Sequence, residues 1–520
     1  MIIQFQRILL SILTLFILQS TTPRAQTDPQ LSPDDLTVLG SVASAVQVGQ
    51  QFPDSLWPAY NLDEMPFIVY VPDQWALLVN TSGSAGEFTG YPNNWPALGT
   101  PALFHEGKLR QLTGQLAFNI RIDSTVCAAV GFLKQDYESF LGYIVHENFH
   151  QFQYAEFGDI PWAREELYPI EDVMNTSLTC MEILSLNDAL RFLGQDDKDS
   201  VRSLTAQFVA TRLHRWQQAD EFVQNYERGK EIHEGTARYV EAKALGLIAS
   251  LNIKTGPLSA ANSMADRRES ITAVGRITES LSQMVSAGSV KPENMPRNRI
   301  YPVGAAQGLL LDYLGVDWKR RIQQAELTST FAELLGAALS VDSAEVDSIV
   351  DAAKVRYDYG AVLQTSERLI AEYREGFERD SAAFDSQPGL RVEVCLSGRN
   401  LRRSRNSSAK KWLVDGGSKE LRNHFDVYVL ESAGDDNLFF SLKEAGLLEL
   451  NDWSTREKTV VFYCPEITVC AVDGKPESLA EGVDCQFNNL QLVGTNFEIN
   501  TGHSGRLLVN DRGVVIDLLP

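Results

Sequence analysis

The stretch LGYIVHENFHQFQYAEF, Leu141–Phe157, carries apolar residues at three- and four-residue spacing: Leu141, Ile144, Val145, Phe149 and Phe152. That periodicity predicts a helix with one buried stripe. Within it stands His146-Glu147-Asn148-Phe149-His150, an HExxH. Residues i and i+4 of a helix share a face, so His146 and His150 can present two imidazoles to one tetrahedral zinc ion. Glu147 sits beside them, placed to take a proton from an activated water. The 520-residue chain holds only seven His, which makes this spacing hard to attribute to composition.

Working outward, helical spacing runs from Gln135 to about Phe384, as in TSLTCMEILSLNDALRFL (Thr176–Leu193) and GAAQGLLLDYLG (Gly304–Gly315). Upstream, from Ser41 to Lys134, PFIVYV (Pro66–Val71) and QLAFNIRI (Gln115–Ile122) read as strands, being rich in β-branched and aromatic residues. After Gln387-Pro388 the pattern changes to short alternating segments (LRVEVCL, FDVYVL, KTVVFYC, GRLLVN, GVVIDLL) separated by turn formers. These predict an all-β unit. Its basic stretch Arg399–Lys411 reads as a solvated loop.

The N-terminus has Arg7 ahead of a short apolar run, Ile8–Leu18, and then small and polar residues. This reads as a cleaved signal peptide at 1–25 followed by a flexible leader at 26–40. It predicts a secreted or periplasmic protein without a stable membrane anchor. A net charge of −22 argues against nucleic acid and against docking on anionic lipid. Export permits disulfides. Four of the six cysteines fall after residue 390, so bridges within the C-terminal part are expected, with Cys127–Cys180 as a further pair.

A catalytic zinc needs a third protein ligand. The segment His233-Glu234-Gly235-Thr236-Ala237-Arg238-Tyr239-Val240-Glu241 supplies a candidate. HENFH followed by HEGTARYVE resembles the gluzincin metallopeptidases, most closely the aminopeptidase N and leukotriene A4 hydrolase branch. The resemblance spans roughly residues 110–320. It implies Glu234 as third zinc ligand and Glu241 as a carboxylate supporting one of the ligands. Arg238 stands where thermolysin-like relatives carry Asp. Glu234 also lies 84 residues beyond His150, farther than in those relatives, with extra helical stretches at about 171–193 and 200–225. Glu182, in CMEILSLNDAL, is therefore a rival ligand. Tyr301-Pro302-Val303-Gly304 is similar to the Tyr-x-Lys-Gly segment of the branch, which implies Tyr301 as oxyanion donor, with Val303 in place of Lys. The segment that holds a free amino terminus in the aminopeptidases is not evident. The strand at 115–122 would suit the edge on which such relatives pair extended peptide.

The expectation is an α+β protein: a thermolysin-like, mainly helical catalytic domain at 41–387, with its strands in 41–134 and its helices in 135–387, and a small all-β domain at 388–520. The function expected is hydrolysis of a peptide or protein substrate through a zinc-activated water. Zinc would be held by His146, His150 and Glu234, with Glu147 and Tyr301 catalytic. The competing expectation is a non-catalytic binding protein on the same scaffold, its partner held by the β domain.

Overall fold

The structure, a computed structural model, describes residues 31–109, 119–123, 125–158, 165–251, 277–324, 330–396, 401–403, 408–414, 417–423, 428–432, 438–443, 446–452, 455 and 457–518. The signal-peptide reading at 1–25 and the first half of the strand expected at 115–122 lie outside these residues.

The described chain enters through helix α1 (Pro33–Gln51). The Ser32 side chain accepts the Asp35 N–H, the Asp35 carboxylate accepts the Ser32 N–H, and Pro33 takes the first helical position. Such a reciprocal cap with proline at the first position starts a helix. From residue 33 onward the flexible leader is therefore replaced by ordered helix, with Val38, Leu39 and Gly40 buried. Trp75 ties the cap down by donating to Asp35 at 2.7 Å.

Strands β1 (Phe67–Val71), β2 (Trp75–Val79), β3 (Thr89–Gly90), β4 (Ala102–Glu106), β5 (Asn119–Ile122) and β6 (Thr125–Gly131) form one sheet in the order β3-β4-β2-β1-β6-β5. All five residues of β1 are buried, because each face of the sheet is covered. Phe67, Val69 and Val71 enter the main core, whereas Ile68 and Tyr70 enter a second cluster. β1 and β6 are parallel, and β5 lies antiparallel to β6 on the sheet edge.

Helix α2 (Tyr137–Glu156) follows β6 and is capped by Asp136, which accepts the Ser139 N–H. The Tyr137 hydroxyl bonds Ser44 of α1 at 2.5 Å, and Gln151 donates to the Val126 carbonyl of β6. Next come α3 (Val173–Leu193), α4 (Lys198–Gln218), α5 (Glu221–Lys230) and α6 (Thr236–Leu251). Five residues of π-helix, Glu231–Gly235, join α5 to α6. After α7 (Glu279–Ser286), helix α8 (Ile300–Tyr313) begins at Tyr301's turn. Helices α9 (Lys319–Gln323), α10 (Phe331–Leu339), α11 (Val346–Arg356) and α12 (Tyr359–Asp385) complete this part.

The remainder is β: described strands form an eight-stranded and a seven-stranded sheet. In the larger sheet Gly513–Leu518 runs parallel to Leu390–Leu396, which pairs antiparallel with Lys458–Cys464. Alternate residues of the two sheets, among them Val392, Val394, Phe440, Phe462, Leu492 and Ile499, face inward and form a core separate from the helical one. Phe384, at the end of α12, packs on Leu421 and Val461 of this β part. The molecule is thus a mixed α+β protein.

Two expectations are corrected here. The basic stretch at 399–411 is not all loop: Leu401–Arg403 and Ser408–Val414 are strands, the latter on the outer edge of the eight-stranded sheet. Edge strands carry lysine to block pairing with other chains, so the charges that suggested a loop suit an edge. All six cysteines are free. Cys127, Cys180 and Cys464 are buried in three different cores, where each thiol serves as a small apolar group. No helix among the described residues is long and apolar enough to cross a membrane.

Candidate metal centre

On α2, His146 and His150 sit one turn apart and bring their Nε2 atoms within 3.1 Å. Glu234, on the π-turn, places Oε2 3.5 Å from His146 Nε2 and 3.3 Å from His150 Nε2. All three residues are buried. Four tetrahedral bonds of about 2.0–2.1 Å imply ligand-to-ligand edges of about 3.3–3.4 Å, and the observed triangle matches them.

The protonation pattern points the same way. His150 Nδ1 contacts Gln153 Oε1 at 2.6 Å, and His146 Nδ1 lies 3.3 Å from Glu241 Oε2. Each Nδ1 thus faces an acceptor and carries the proton, which leaves both Nε2 lone pairs bare and aimed at one point. Two bare nitrogens and a carboxylate oxygen at these separations form a repulsive cluster that a cation would resolve. These donors could hold a metal ion.

The supporting residues connect the elements. Gln153 accepts from His150 while its amide donates to the His233 carbonyl at 2.8 Å and to Thr236 Oγ1 at 2.6 Å. It thereby ties α2 to the π-turn. Glu241 reaches His146 because residue 142 is glycine. A Cβ there would stand 2.7 Å from Glu241 Oε1. Arg238, the departure from the thermolysin-like pattern, pairs with Glu241 and leaves that carboxylate on His146.

Burial pushes the Glu147 carboxyl above its ordinary range, opposed by His150 and His146. Burial would also raise Glu234, but the adjacent His146 and His150 imidazoles overcome it and hold that carboxyl well below its ordinary range. The Tyr301 ring stacks on His146 with centroids 5.8 Å apart. Glu234 and Arg297 lie beside its hydroxyl, and burial together with Glu234 keeps the phenol above its usual range, hence protonated and able to donate.

No protein-family model matches the chain. No curated protein matches it, and no solved structure matches it.

The structure therefore brings together His146, Glu147, His150, Glu234 and Tyr301 from three separate segments. It does not bring Glu182 to them. That carboxylate is 1% exposed and saturated by Arg212 and Arg215. His233 also lies at the site: its ring stacks on that of His150 at 4.2 Å, and His150, His233 and Glu234 form a second buried group whose ligand atoms lie within 4.8 Å of one another. Val303, two residues after Tyr301, is buried in the main core.

Three contributors escaped the sequence reading. Gln153 could have been found, because it stands three residues after His150 on the same helical face. Arg297, which pairs with Glu165 at 3.5 Å and lies beside Tyr301, precedes its helix and carries no periodic signal. The π-turn is set by tertiary contacts.

Proposed function

We propose that this chain is an exported zinc-dependent metallopeptidase of gluzincin type. The observation that carries the proposal is the pair of bare Nε2 atoms closing a 3.1–3.5 Å triangle with a carboxylate, each imidazole fixed by its own acceptor. Two His and one Glu with a place left for water is the donor set of catalytic zinc. Zinc bound there would act as the Lewis acid that lowers the pKa of a water and polarises a carbonyl.

The chain's own residues supply the rest. Glu147, next to His146 and buried, accepts the proton of the attacking water and returns it to the leaving amine. Its raised carboxyl suits both directions of that transfer. Tyr301, protonated and stacked on His146, donates to the oxygen on which charge develops. Among the described residues β5 is an edge strand of its sheet, beside β6, on which α2 rests. An extended peptide can add to such an edge through backbone hydrogen bonds. The Arg7 and Ile8–Leu18 pattern supports action outside the cytoplasm.

The test is Glu147→Gln, assayed for metal content and for cleavage of unfolded protein. One zinc per chain is expected in both proteins, with turnover reduced by at least about a hundredfold in the variant. Equal turnover would overturn the role of Glu147. Zinc bound with no cleavage in the wild type would favour the non-catalytic binding protein.

A further inference from the structure

Glu234 is held on a π-turn, an irregular element that needs specific support. The support comes from a buried cluster of six charges behind the site. Glu231, the first residue of the turn, receives Arg212 Nη1 on both carboxylate oxygens at 2.7 and 2.8 Å, and Gln307 Nε2 of α8 on Oε2 at 2.8 Å. Arg212 and Arg215, both on α4, share Glu182 of α3. Arg215 and Arg299 share Glu227 of α5, which also accepts from Tyr168 and Trp216. Three arginines and three glutamates cancel in charge, and none exceeds 3% exposure. Apolar residues of similar volume would stabilise a core at least as well as such pairs. What the ions add is geometry: Arg212 Nη1 is shared between the two Glu231 oxygens while its Nε and Nη2 are held by Glu182, and Glu234 lies three residues on along the same turn.

We propose that Arg212 and Glu231 are positioning residues for the Glu234 carboxylate, and that helices α3 and α4, which lengthen the interval between His150 and Glu234, supply the clamp that sets the third ligand. This rests on the metal-site reading above.

Two ends of the cluster separate positioning from simple stabilisation. Glu231→Gln cuts the end that touches the π-turn, and Glu227→Gln cuts the end that does not. Zinc affinity is read by chelator competition on the mature chain, and apo-protein melting is read alongside. Glu231→Gln is expected to weaken zinc by about 10–100-fold, the usual effect of losing a residue that orients a ligand. Glu227→Gln is expected to lower the melting temperature but, acting on Glu231 only through the intervening arginines, to weaken zinc far less than Glu231→Gln does. Wild-type affinity in Glu231→Gln, or equal weakening in both variants, overturns the proposal. Should Glu231→Gln fail to fold, Gln307→Met removes one bond to Glu231 without altering buried charge. Several-fold weaker zinc is expected there, and an unchanged Kd overturns the proposal. A wild type that binds no zinc overturns the metal-site reading itself, and this one with it.

Discussion

His233 shows how much one side chain's surroundings set its chemistry. Burial, reinforced by His150, lowers its pKa from 6.5 to about 3. The unfolded chain takes up a proton on this residue below pH 6.5, and the folded chain does so only near pH 3. Stability is therefore lost as pH falls through that window, at roughly 1.4 kcal/mol per pH unit. Glu234, held low, adds to the loss in the same direction once pH falls below 4.5. His233→Phe keeps a ring against His150 and removes the titration. In chelator-treated protein the drop in urea stability between pH 6.5 and 4.5 is expected to shrink in this variant. An unchanged drop would place the acid sensitivity elsewhere. The residues of the candidate centre were readable because holding a metal ion would restrict type and spacing together, as in His146 and His150. The residues behind it were not. Arg212, Arg215 and Glu182 sit in helices whose charges look like a solvated face, and only the packing of α3 on α4 turns them inward.

At the scale of elements, the decisive contact is between the π-turn and α8. Gly235 and Gly304 approach so closely that a Cβ on Gly304 would stand 2.6 Å from the Gly235 Cα and 3.1 Å from the Glu231 carbonyl. These are backbone atoms with no rotamer to change. Gly304→Ala is expected to destabilise the fold by roughly 1–3 kcal/mol, the usual cost of overpacking, and to reduce metal occupancy because it displaces the turn bearing Glu234. Thermal melting and metal content check both parts. Element type was legible over long periodic stretches such as α2, α3 and the strand Lys458–Cys464. It failed where a local signal was overruled. The Ser32–Asp35 cap was present in the sequence, yet the prolines around it suggested a leader. The lysines of Ser408–Val414 suggested a loop although they line a sheet edge.

For the whole molecule, the separation of the helical core from the β core has a thermodynamic consequence. A ligand that binds only the native form stabilises the unit that holds it, by about 2.7 kcal/mol at a hundredfold excess over Kd. Chelation is expected to lower the melting temperature of the helical part and to leave the β transition in place, as calorimetry with and without chelator would show. One transition shifting as a whole would mean that the two cores unfold as a unit.

The strand Gly513–Leu518 lies between Leu390–Leu396 and Gly505–Asn510 in the larger sheet. On the ribosome, then, the strand at 390 has to wait for one that emerges well over a hundred residues later, and pairings so distant in sequence form slowly. The buried residues of the helical core all precede residue 390. The order of assembly that follows is the helical core first and closure of the β unit last.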